Sequence, residues 1–288
     1  MSTQVSGNFG CGARSGVTLL ELITGSGRGT VGLRRLFGFG DDENLEPAEI
    51  DTQIQTVSPV PGGDIGGEIV LRGGGRGLKV EYFYLRLFVT MVDYQGRSKQ
   101  EEFKSLSARR SHFTVAPGAE ERVPFHGRLP WECPVTELGG QSVGTVVSLK
   151  TQLDWERESE EQDHDLVHVA APPLYESVLD AFAQEGYLFG ESQVIDDYIP
   201  DTENHPGRFQ TFCLADRTRG DRFAELEVAF HCNEVGAMVY VRRAGRTQYT
   251  WEDKPPARRF PAAHHEVGRV DFREHVRRVL AELALLES

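Results

Sequence analysis

From Glu49 onward, apolar and polar residues alternate with a period of two, and the chain keeps returning to that rhythm. Ile50, Thr52, Ile54 and Thr56 face one way while Asp51, Gln53 and Gln55 face the other, the pattern of a half-buried strand. A turn over Pro59–Asp64 precedes a second strand, Glu68–Leu71. Lys79–Val92 predicts a long strand with Val80, Tyr82, Tyr84, Arg86, Phe88 and Thr90 on one face. Phe83, Leu85, Leu87, Val89 and Met91 lie on the other, so both faces can be covered. Extended runs follow at Gln100–Leu106, His112–Val115, Arg122–Phe125 and Val143–Leu153, then at Leu166–Ala170, Phe209–Leu214, Ala224–His231, Ala237–Arg242 and Thr247–Trp251. Short strands at regular spacing, joined by glycine turns, predict antiparallel β-sandwiches.

In two places the period changes to that of a helix. Pro172-Pro173 opens one at its first turn, where a missing N–H costs nothing, and Gly186 ends it. Leu174, Val178, Leu179 and Phe182 give it an apolar face. Near the end, Asp271 suits an N-cap, with Glu274 three residues on. Phe272, Val276, Val279, Leu280, Leu283 and Leu286 then recur at steps of three and four, predicting an amphipathic helix over 271–287. Its stripe has two uses: packing on the sheet beside it, or docking a partner through Val276, Leu280 and Leu283. Sheet edges are the other candidate partner surface.

Length and composition set the domain plan. At 288 residues the chain is long for one core, and two domains are expected. Residues 1–30 are rich in Gly, Ser and Thr without periodicity, and are expected to be a poorly ordered extension, with Val31 the more natural beginning. A first sandwich is expected over 31–155 and a second over 166–288, with helices near 173–186 and 271–287. Between them, residues 156–165 (Glu-Arg-Glu-Ser-Glu-Glu-Gln-Asp-His-Asp) read as a solvated acidic linker, because blocks of like charge repel themselves.

Charge removes several function classes. The net charge is −13 and the pI near 5.2. Nucleic-acid affinity rests on lysine and arginine against phosphate, so no nucleic acid is expected. No stretch suits stable membrane insertion: the run Val17–Ile23 is short and interrupted by Glu21. Four scattered cysteines (Cys11, Cys133, Cys213 and Cys232) fit a reduced, cytoplasmic protein.

Several fragments imitate chemistry. Residues 27–32 match G-x-G-x-x-G, but strand follows strand downstream, with no helices to build a parallel sheet. His231 and Cys232 are adjacent in a strand and point to opposite faces, while the His164/His168 spacing does not converge in a linker. There is no G-x-S-x-G elbow. Neither catalytic residues nor a cofactor or metal is expected.

Residues 115–136 are the most distinctive stretch. A Pro117-Gly118 turn leads through Arg122–Phe125 to Leu129-Pro130 and Cys133-Pro134. Pro124, Pro130 and Pro134 cannot donate to a ladder, which confines the segment to an edge strand and its exit. Phe125 and Leu129 are expected to be buried there. The stretch resembles the arrestin-fold signature that closes a first β-sandwich. With Pro61-Gly62-Gly63, Gly67-Glu68-Ile69, Gly77–Val80, Leu149-Lys150-Thr151, Leu153-Asp154, Leu174–Gly186 and Glu225–Val228, the chain from about Val31 to Leu286 resembles the bacterial sporulation-control SpoOM family. That resemblance implies two arrestin-like β-sandwich domains and a cytosolic regulatory role with no catalytic centre. A non-enzymatic scaffold in sporulation or developmental control, working through protein partners, is therefore expected. The alternative is a small-ligand binder or enzyme using an inter-domain cleft.

Overall fold

The structure, a computed structural model, describes residues 34–35, 48–92, 97–155, 158–197, 199, 207–216, 226–244 and 256–285. The expected N-terminal extension, the Thr247–Trp251 strand and Leu286 lie outside them. Two sheets face each other in the first half. One holds β1 (Arg34–Arg35), β2 (Glu49–Ile54), β3 (Asp64–Arg72) and β7 (Glu120–Arg128). The other is built on β4 (Leu78–Val92), which pairs with β5 (Ser98–Ala108), β6 (Phe113–Val115) and β10 (Val147–Trp155); a small hairpin of β8 (Glu137–Leu138) and β9 (Gln141–Ser142) precedes β10. Ile50, Ile69, Leu71, Val123 and Phe125 meet Leu85, Leu87, Val89, Leu149 and Leu153 in the core between them. The alternation predicted for β2 and β4 is thus the alternation of this core.

β5 belongs to both sheets. It pairs with β4 through Ser98–Leu106, then with β7 at Ser107–His126 and Ala108–Phe125. Close strand approach also fixes Gly67: a Cβ there would lie 2.0 Å from the Gln53 carbonyl oxygen on the neighbouring strand.

Residues 158–165, expected to belong to an acidic linker over 156–165, instead form most of strand β11 (Glu158–Leu166), which pairs antiparallel with β10. Asp163 is buried, and its carboxylate accepts the Thr52 backbone N–H at 2.6 Å. The Thr52 and Thr151 hydroxyls bond to each other at 2.7 Å beside it. A carboxylate that receives a backbone donor can sit inside a fold, so charge along the strand did not prevent pairing.

The second half is an antiparallel sheet of β12 (Tyr187–Ile195), β13 (Phe209–Asp216), β14 (Leu226–Cys232), β15 (Gly236–Arg243) and β16 (Arg258–Ala263). Helices α1 (Pro173–Gln184) and α2 (Phe272–Ala284) pack against it and each other. Both were expected, with their ends: Gly186 takes φ 94°, and Asp271 accepts the Arg273 N–H. β12 and β16 were not. Gly190 sits at a bulge that breaks β12's alternation, and Pro261 disguises β16. Most buried apolar residues among those described form one cluster from Ile50 through Val135, Val169 and Phe182 to Leu283, with a small second one of Ile199, Phe209, Ala229 and Tyr240.

At the α1–α2 contact, Glu185 bridges Arg273 and Arg277, the latter at 2.9 Å. The Arg273 hydrogen bond, reinforced by both positive charges, holds the Glu185 carboxyl below its usual value. A depressed folded-state value stabilises above the unfolded carboxylate range, and the gain disappears as pH falls through the folded value. We expect the stability difference between the parent and Glu185→Gln to be present at pH 7 and to vanish on acidification below about pH 4. Denaturant midpoints measured across that range check it; a difference independent of pH would contradict it.

Candidate functional site

The closing segment of the first sandwich feeds directly into the junction with the second half. Phe125 and Leu129 are buried, Pro124 is exposed, Pro130 is half-buried and Pro134 is buried. Pro124 pairs with Glu68 of β3, and its carbonyl accepts the Arg109 N–H, just past the end of β5, at 3.0 Å. The Leu129 N–H bonds to the Gly63 carbonyl at 2.8 Å, and the Pro130 carbonyl accepts from Cys133 at 3.1 Å. Trp131, the next residue after this exit, packs over Gly62, where a Cβ would come within 2.5 Å of its ring. Its indole also stacks on His264 at 5.8 Å, joining the first half to the end of β16.

One strand start carries most of the polar junction. Arg208, just before β13, is buried, reaches Glu101 at 3.3 Å and donates to the Glu102 carbonyl at 3.1 Å. Burial pulls its guanidinium below the ordinary value, and the Glu101 charge opposes this. Gln210 accepts the Val135 N–H and donates to the Val135 carbonyl, both at 2.8 Å. Its amide also donates to the Thr145 and Ser192 hydroxyls, each at 3.0 Å. Phe212 then meets Tyr175, which stacks on Phe230 at 4.0 Å. Gln210→Ala would leave the Val135 backbone groups unpaired; a cost of about 1–3 kcal/mol is expected in chemical denaturation. Faster hydrogen exchange at the Val135 amide, with the β4 core amides unchanged, would locate the loss.

The thiols here are not reactive. Cys133 and Cys232 are free and buried, whereas Cys213 is disulfide-bonded, against the expectation that the cysteines are reduced. Burial pushes both thiols, and the Tyr175 phenol, above their ordinary values. Buried neutral thiols are poor nucleophiles. The cleft between the halves, lined by Trp131, Cys133, Tyr175, Arg208 and Phe212 among others, encloses about 20 Å³. That is room for one water. Small-molecule sites run to about 300–1,000 Å³. His168 points elsewhere, bonding Glu137 at 2.8 Å on the exterior.

The proposed docking stripe is core. Val276 is 0% and Leu283 2% exposed, and Leu280 is half-buried against the same cluster. They pack α2 onto β15, β16 and α1 and, among the described residues, leave no open apolar stripe, which removes Val276, Leu280 and Leu283 as a partner surface. The edges offer little either. Among the described edge strands, Pro261 interrupts β16, and a bulge opposite Thr151 and Gln152 breaks the β10–β11 ladder. Proline and bulges both discourage strand addition.

The outward face of β4 and β10 is different, and sequence reasoning missed it by allowing β4 to be covered on both sides. Tyr82 is 46% and Tyr84 38% exposed, with Phe88 half-buried further along. Register places Asp154, Gln152 and Lys150 opposite Tyr82, Tyr84 and Arg86. The Arg86 guanidinium lies 5.3 Å from the Tyr84 ring centre and Lys150 Nζ 4.6 Å from that of Phe88. Asp154's charge and hydrogen bond hold the Tyr84 phenol above its usual value. Leu166, at the end of β11 and paired with Ser148, is 48% exposed. The signal was available: aromatic residues at period two, opposite a strand whose own outward positions are polar.

A first-half sandwich, a helix-backed sheet welded to it and an aromatic outer face define a mainly β, two-part protein. The chain belongs to the SpoOM protein family, whose model matches residues 38–244. It is 29% identical over 148 residues to the sporulation-control protein spo0M of Bacillus subtilis (strain 168). That alignment spans 50% of this chain and 55% of the relative, about half of each. The crystal structure of Spo0M from Bacillus subtilis superposes with a TM-score of 0.68 at 22% identity, over 82% of this chain and 98% of that one. The likeness establishes the shared fold. Among the described residues, no helix is long and apolar enough to cross a membrane.

Proposed function

We propose that this protein is a non-enzymatic regulator of sporulation or a related developmental programme, acting in the cytoplasm by binding other proteins. The homology to a sporulation-control protein supports the regulatory role. The observation that carries the binding mode is the exposed Tyr82–Tyr84–Phe88 face with Arg86 and Lys150 against its rings. Tyrosine, phenylalanine and arginine are the residues enriched where proteins meet. Guarded edges turn recognition away from strand addition and toward this face.

The test is complementation. In a sporulating host lacking the gene, the parent should restore spore yield. The Tyr82→Ser/Tyr84→Ser double variant should fold, within about 1–2 kcal/mol of the parent given two exposed cross-strand positions, yet fail to restore it. A folded double variant that complements fully would remove the face from the proposal. Measurable turnover by the purified parent would remove its non-enzymatic character.

A further inference from the structure

We draw no further inference here: the strongest candidate, the small cleft at the junction of the two halves beside Trp131, Tyr175 and Arg208, has room for one water, and nothing in the structure shows what would occupy it.

Discussion

Replacing Phe125 by alanine is expected to lower the unfolding free energy by about 3–5 kcal/mol, the range for a buried aromatic side chain removed from a packed core. Phe125 is 3% exposed and projects from β7 into the space between the two sheets. Its backbone sits where β7 is paired on both sides, with Gly67 of β3 and Ala108 of β5. Flanking strands held at this point cannot collapse freely into the hole, so the cavity contribution should persist. Denaturant titration of parent and variant provides the measurement. An unchanged midpoint would show that the closing segment does not hold the sandwich.

Placing aspartate at Val276 should be at least as damaging. Val276 is wholly inaccessible, on the face of α2 that meets β15, β16 and α1. A carboxylate there has no cation on its own side of the helix: Arg273 and Arg277 are directed at Glu185, and Arg278 donates to His275. An unpaired charge buried in this way costs about 3–5 kcal/mol, or takes up a proton. Circular dichroism and exchange protection should therefore show loss of the second half's packing near neutral pH, with partial recovery in acid as the carboxyl is neutralised. Native stability retained at pH 7 would mean that α2 is dispensable for the core.

Strand periodicity carried much of the fold. β2, β4, β13, β14 and β15 could be read from alternating residues, and both helices from their caps and stripes, because those signals are local. β11 could not. Its charges describe a linker by composition; pairing with β10 makes it a strand, and the Thr52 N–H, 111 positions away, donates to the buried Asp163 carboxylate. β16 was hidden for a related reason: Pro261 is tolerated only because an edge strand need not donate at every residue. The junction was the least legible part. Gln210 looks like any strand glutamine until the fold brings it to Val135, 75 positions earlier. Phe125 and Leu129 were anticipated as buried, whereas the functional value of Tyr82 and Tyr84 depended on learning which face of β4 stays open.

The unbroken buried cluster bears on how such a protein can change over generations. Proteins assembled from separable modules can trade parts by recombination, since each part keeps its own core. Here Val135 and Val169 from one side and Phe212 and Phe182 from the other share a single interior. A crossover between β11 and α1 that brought in a foreign second half would have to match that interior and the Gln210 contacts together. Inheritance should therefore favour the two halves travelling as a pair, with novelty confined to outward positions such as those around Tyr82 and Tyr84.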